Sequence, residues 1–313
     1  MLDWLRVQFT KAHITETIVK GFATFGVIKA FFEFSDYFFE GQPFAHYINL
    51  FKDWFSNNIL YCGLALIVIV FIVCRRKTNF SWKINGTNLS VEISLCNFFR
   101  QDGLKIIHVT DTFDTDYSLE GLIDSKTLHG QFLDKHRNKI VEIDHKIENE
   151  LKRCTKTKRN DLPAKKYTYP IGTVAMVNID NEHYALAVYS RMQPDKHAQM
   201  PKNQMEYNEF LVNMWNNLAH QATTDEIVNV VVFGEGLNRM SAAFTKQKKI
   251  GEIIRSFIIC SLEGVSYKKL RICLKYNKKE NLEEFEKLHY LQYEYDSYNV
   301  SSGGSTPVGK AIS

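Results

Sequence analysis

Three polar loops hold most of the side chains in this sequence that could do chemistry. The first follows the apolar run KIIHV and reads Thr110, Asp111, Thr112, Phe113, Asp114, Thr115. Two carboxylates three residues apart among hydroxyls can act as general bases, cap a turn, or accept hydrogen bonds from ribose hydroxyls or a cationic ligand group. The second runs Ser125, Lys126, Thr127, Leu128, His129, Gly130, Gln131, Phe132 and opens a helix-like stretch. His129 suits acid–base work near neutral pH, a packed position or a phosphate contact, and its spacing assigns it no partner. The third follows VNVVVF and reads Gly234, Glu235, Gly236, Leu237, Asn238, Arg239. A Gly-x-Gly after a buried strand and before a helix lets backbone N–H groups close around phosphate oxygens, with help from the helix N-terminus. Plain turn chemistry gives the same spacing, and the loop is neither a GxxxxGK[ST] nor a GxGxxG motif. His108, His129, His136 and His145 show no metal-ligand spacing, so no metal site and no cofactor is expected.

These loops need elements to position them. From Phe80 onward, strand-like runs fall at 88–95, 104–109, 172–177, 184–189, 227–233 and 269–274. Helix-like runs fall at 140–153, 205–220, 245–261 and 281–290. That alternation predicts an α/β domain with a mixed or parallel sheet flanked by helices. Ligands of such sheets sit beyond the carboxyl ends of the strands, which is where the three loops fall.

The chain has 313 residues, 45% hydrophobic and 24% charged, with a net charge of +4. That excludes a disordered or collagen-like chain and argues against a polytopic transporter. The six cysteines contain no CxxC, which favours a reduced setting over a disulfide framework. Apolar residues concentrate before Arg75. The segment 54–74 reads WFSNNILYCGLALIVIVFIVC and ends on Arg75, Arg76 and Lys77. Roughly 20 apolar residues cross a ~30 Å hydrocarbon core, and a basic collar follows the positive-inside pattern, so a spanning helix is expected. It begins too far into the chain for a signal peptide.

The earlier segment, 18–39, either spans or lies in the interface, and spanning is favoured. Lys29, Glu33, Asp36 and Glu40 form one stripe along it, beside the small pair Gly26 and Ala30. Two spans place the N-terminus and the later domain on the same side of a membrane, the cytoplasmic one by the basic collar. The expected division is therefore 1–77 membrane region, 80–300 α/β domain and 301–313 flexible tail. Lysines and arginines between Lys146 and Lys166 read as a solvated surface or a membrane-facing one. Nucleic acid is not expected as a partner, since no aromatics are interleaved there.

The ordered set VEISLCNFF, KIIHVTDTFDT, SKTLHGQF, YPIGTVAMV and VVVFGEGLNRM resembles the macro-like domain of type II Thoeris (ThsA-type) effectors of bacterial antiphage defence. It covers about residues 80–275, and the helices before it match the same architecture. The resemblance implies a macro-like fold and a ligand of ADP-ribose type, specifically a histidine-conjugated ADP-ribose made from NAD by a TIR-domain partner. It implies that Asn97 holds the adenine side, where the family often has Asp, and that Thr110 to Asp114 line the distal ribose. Leu128, His129, Gly130, Gln131 and Phe132 would wrap the diphosphate or distal ribose, the loop from Gly234 to Arg239 would cradle the diphosphate, and Pro170, Ile171, Gly172 and Thr173 would form a wall. The implied activity is sensing: a homo-oligomer, taken as a tetramer, rearranges on binding and the helices disrupt membrane lipid. No residue is expected to be catalytic, since the first loop lacks the Asn-rich sequence of hydrolytic macro domains. A membrane-tethered ADP-ribosyl hydrolase is the alternative.

Overall fold

The computed structural model describes residues 11–39, 45–73, 78–116, 122–163, 165–219, 227–235, 244–262, 267–275, 284–285 and 287–296. The chain divides into two compact units, Met1–Thr78 and Asn79–Ser313.

In the first unit, α1 (Lys11–Phe39), α2 (Ala45–Asn57) and α3 (Ile59–Val73) are helical. The single helix expected over 54–74 is replaced by two helices, which bend by 87° between Leu50–Asn57 and Tyr61–Val70. Asn58 lies at the break. Its side-chain amide donates to Trp54 O at 2.8 Å, and its backbone N–H is shared between Trp54 O at 3.1 Å and Phe55 O at 3.2 Å. An Asn side chain that bonds a carbonyl of the preceding turn competes with helix continuation. The 15 residues of α3 rise about 22 Å, short of a ~30 Å hydrocarbon core. Among the described residues no single helix is long and apolar enough to cross a membrane, so the two expected spans are not found as such. Of the charged stripe, Lys29 is exposed on α1. The Glu33 and Asp36 side chains, all of Glu40, the collar at 75–77 and the tail from 301 lie outside the described residues.

The second unit is built on a mixed sheet. Its strands are β1 (Asn79–Lys83), β2 (Ser90–Leu95), β3 (Leu104–Thr110), β4 (Val174–Ile179), β5 (Glu182–Met192), β6 (Ile227–Val230) and β7 (Lys269–Leu274). They lie in the order β1-β2-β7-β6-β3-β5-β4, and the two-residue strand Ala198–Gln199 adds to the end of β5. The five central strands are parallel, while β1 and β4 close the edges antiparallel. The central strands are buried and rich in Ile, Val and Leu, as strands covered on both faces must be.

Helices α4 (Leu128–Lys135) and α5 (Ile140–Glu150) cover one face. Phe132, Leu133, Ile143 and Ile147 meet Ile107, Val109, Leu186 and Val188 there. On the other helix pair, α6 (Gln204–Ala219) and α7 (Lys246–Leu262), Trp215 packs edge-on to Phe257 and donates to Ser256 Oγ at 3.0 Å. A short helix, α8 (Tyr290–Asp296), follows. Of the helix expected at 281–290, the described residues 284, 285 and 287 are helical, and α8 lies at its end; β1 was not expected. Its sequence NFSWK is too polar for the hydrophobic pattern to reveal a strand. Strand β6 stops at Val230, because the chain beyond it turns towards Gly234.

Candidate functional site

The three loops meet at the carboxyl ends of the parallel strands, and each is held by bonds that sequence spacing does not reveal. At the end of β3 the register with β5 shifts between Val109 and Thr110. The Asp111 N–H donates to Ser190 O at 2.8 Å, and Asp111 Oδ1 accepts from the Met192 N–H at 2.7 Å. Tyr169 N–H donates to Asp111 O at 2.9 Å, which brings the 169–173 segment alongside. Phe113 takes a left-handed conformation (φ 49°) and buries its ring. That turn sends Asp114 inward, where Oδ2 accepts from the Thr112 hydroxyl and Oδ1 accepts from the Lys165 N–H at 3.1 Å. Lys165 Nζ closes the loop on Phe113 O at 2.9 Å and also bonds Asp144.

Both loop carboxylates are therefore structural ties. Asp114 uses both oxygens and is 1% exposed. Asp111 keeps one oxygen without a hydrogen-bond partner. Burial pushes its pKa up, against the Met192 N–H and the nearby Arg159 and Arg191 guanidiniums.

The second loop begins α4. The Thr127 hydroxyl accepts from Gly130 N–H at 3.0 Å, the N-cap arrangement that satisfies an orphan donor of the first turn. Gly130 is required by space: a Cβ there would lie 2.3 Å from Asp124 O and 2.7 Å from Ser125 Cα. His129 is buried, its Nε2 has no hydrogen-bond partner among the described residues, and burial lowers its pKa to about 3, with His108 and Lys165 adding to the effect. His108, on β3, likewise has an unpartnered Nδ1, and burial lowers its pKa to about 4. Both imidazoles are neutral at physiological pH.

The third loop turns at Gly234, whose positive φ of 73° suits glycine. Lys249 reaches back from α7, where it is buried. Its Nζ donates to Gly234 O at 3.0 Å and to Glu235 Oε1 at 3.0 Å. Lys246 pairs with the other Glu235 oxygen at 3.6 Å. Residues 236–239, which include Gly236, Leu237, Asn238 and Arg239, lie outside the described residues. Among the described residues no group of three or more His, Cys, Asp or Glu is placed to hold a metal ion.

Residues 91–275 match the family model described as Thoeris protein ThsA, Macro domain. That match spans more than half of the chain. The chain belongs to the Thoeris ThsA macro-domain family. Its mixed sheet flanked by helices is the macro-like α/β fold that the loops implied. Similar solved structures include an Oceanobacillus iheyensis macrodomain with ADP, at 13% identity and TM-score 0.45, covering 70% of this chain and 100% of that one. A variant of that macrodomain with ADPR has 10% identity and TM-score 0.44, covering 69% of this chain and 99% of that one. No curated protein matches the chain.

Within this ThsA macro domain the expected contact residues fall into three groups. Thr110, Asp111, Thr112, Asp114, His129, Gly234 and Glu235 gather around the carboxyl ends of β3 and β6 and the start of α4. Phe113, Gly130, Phe132, Gly172 and Thr173 are buried packing or turn residues. Phe132 is fully buried among core side chains, and a Cβ at Gly172 would lie 2.3 Å from Asn213 Cβ on α6. These five are buried in the fold.

Asn97 and Gln131 lie elsewhere, on the wall of a separate cavity, and Leu128 is half-buried against the core. Asn97 Oδ1 is also engaged locally, accepting from Phe99 N–H at 3.0 Å as the cap of a short 3₁₀ turn. Lys249, Lys165 and Met192, which fix the loops, carried no signal in the sequence. Their contacts cross 15, 52 and 81 positions of chain.

Proposed function

We propose that this chain is a sensor of the Thoeris defence system, and that the crevice at the carboxyl ends of β3, β5 and β6 takes a nucleotide of the ADP-ribose class. The supporting observation is the family match over 91–275, laid over strand ends where Asp111 is tied to Met192 and Gly234 to Lys249 before any ligand arrives. A histidine-conjugated ADP-ribose made by a TIR-domain partner is the specific ligand of this reading. Neutral His108 and His129 offer it unpartnered ring nitrogens, and the Gly234 turn offers it backbone.

Sensing is favoured over hydrolysis because Asp114 has no free oxygen and Asp111 is committed to Met192. The competing reading, an ADP-ribosyl hydrolase, rests on the second oxygen of Asp111 and its raised pKa, which suits a general acid.

On this reading the first unit delivers the output at a membrane, after a homo-oligomer rearranges. Its support is an apolar surface left open on that unit: Phe22, Val27, Phe31, Phe34, Trp54, Leu64 and Val68 are each more than half exposed. An apolar surface of that extent marks an interaction face for lipid or for other chains. The bilayer is the favoured one, because α3 is apolar on every side.

Calorimetry of the full chain against ADP-ribose and its histidine conjugate, with product analysis of the same mixtures, tests the reading. Tight binding without turnover supports the sensor. Turnover that is lost in Asp111→Ala supports the hydrolase, and no binding of either compound overturns both.

A further inference from the structure

A second cavity, of about 820 Å³, opens away from the crevice, between the 97–103 crossover, the last turn of α4 and the first residues of β3 and β5. Its walls are preformed. Gly103 has a φ of +92°, and a Cβ there would lie 2.5 Å from Ile227 O, so the crossover is pressed against the start of β6. Asn229 Nδ2 clamps the same segment by donating to Asp102 O at 2.8 Å and to Leu104 O at 3.1 Å. Gln101 Nε2 closes it on Asn97 O at 2.9 Å. The volume is in the range that holds small organic ligands, about 300–1,000 Å³.

The floor carries an incompletely satisfied cation. Lys105 is 3% exposed, yet among the described residues its ammonium meets only Glu182 Oε2, at 3.4 Å, and the face of the Tyr184 ring, at 5.4 Å. An ammonium has three N–H donors, and a buried charge with donors to spare is destabilising until an acceptor arrives. Glu182 is shared between two ammoniums. Lys135 Nζ already donates to both of its oxygens, at 2.5 and 2.6 Å, and the Tyr184 hydroxyl donates to Oε2. Arg100 stands on the wall with no ion-pair partner among the described residues. Of the remaining acids, Asp134 is taken by Arg137 at 2.6 Å, which leaves Asp102 alone against Arg100 and Lys105. The lining balances Arg100, Lys105 and Lys135 against Asp102, Asp134 and Glu182, but the spare donors of Lys105 and the guanidinium of Arg100 face a volume large enough for an organic molecule.

We propose that this cavity is a second binding site, for a small phosphate- or carboxylate-bearing anion held by Lys105 and Arg100 with its body against Phe99, and that it fills independently of the nucleotide crevice. Such a site would let the protein respond to a second metabolite as well as to its nucleotide, because an anion there ties the starts of β3 and β5 to the crossover.

The test titrates the full chain with inorganic pyrophosphate and, separately, with citrate by calorimetry at constant ionic strength, with and without saturating ADP-ribose. The two probes separate a phosphate source from a carboxylate one. Saturable binding of either probe is expected, unchanged by ADP-ribose, weakened at least fivefold in Arg100→Gln and at least tenfold in Lys105→Gln. Arg100 is exposed, so its variant reports even where the buried Lys105 variant fails to fold. The proposal is overturned by no saturable binding of either probe, by binding that ADP-ribose displaces, or by binding that Arg100→Gln leaves unchanged. Failure of both ADP-ribose and its histidine conjugate to bind while a probe does overturns the sensor reading alone.

Discussion

Asp111 Oδ1 accepts a hydrogen bond from the Met192 backbone N–H at 2.7 Å, which ties the end of β3 to the end of β5 across 81 positions of chain. With the Asp111 N–H on Ser190 O, this residue bonds one strand end at two points, where the register between the strands slips. Removing the carboxylate leaves a buried N–H without an acceptor, a loss of about 1–3 kcal/mol. Asp111→Ala is therefore expected to lower stability by that amount in urea unfolding. Asp111→Asn, which keeps an Oδ1 acceptor, is expected to lose less. An alanine variant as stable as the parent would show that the clamp carries no load.

The sequence made the sheet legible because its central strands are buried on both faces and read as continuous apolar runs such as KIIHV and VNVVVF. It made the three loops legible because they interrupt those runs with Gly, Asp and Thr. Their bracing was not legible. Lys249, in the run KQKKI, looks like any solvated helix lysine, and only the fold reveals that it is buried under Gly234. Phe132 and Gly172 were expected at the ligand from the resemblance, and sequence spacing could not show that both are buried in the fold. The break at Asn58 was also missed. Hydropathy averages over a window and cannot register one amide side chain turning back on Trp54 O.

His129 and His108 make the fold acid-sensitive. Their folded pKa values are about 3 and about 4, below the ordinary value of 6.5 for an unfolded histidine. Between those limits the unfolded chain binds protons that the folded chain refuses, so stability is fully present above about pH 6.5 and falls as pH drops. Each histidine contributes a slope of about 1.4 kcal/mol per pH unit in that window. Urea unfolding between pH 7.5 and 5 is expected to show it, and His129→Gln is expected to remove one histidine's share. An unchanged slope in that variant would place the pH dependence elsewhere.

Lys249 holds the Gly234 turn from behind. Lys249→Met keeps an unbranched side chain, one atom shorter, and deletes both 3.0 Å bonds, to Gly234 O and to Glu235. A buried carbonyl left without its donor loses about 1–3 kcal/mol, which should appear as a lower midpoint in thermal unfolding. If the turn is preorganised for a diphosphate, ADP-ribose should also bind about tenfold more weakly by calorimetry, since ordering the loop then falls on binding. Reduced stability with unchanged affinity would remove the Gly234 turn from the ligand site.

The output side of the proposal turns on α3, where Leu64 and Val68 are 55% and 56% exposed and four residues apart, on one face of the helix. Water does not favour that face, and a bilayer does. A charged residue near the centre of a membrane helix is disfavoured by about 2.5–3.5 kcal/mol on insertion scales, roughly a hundredfold or more in partitioning. Leu64→Asp and Val68→Asp should each shift the full chain from the floating to the sedimenting fraction when mixed with anionic phospholipid vesicles in a density gradient, and the double variant should not float. Calorimetric affinity for ADP-ribose should be untouched, because both substitutions lie in the first unit and the crevice lies wholly in the second. A parent chain that fails to float would separate sensing from any membrane and leave the exposed face of α3 to a protein partner.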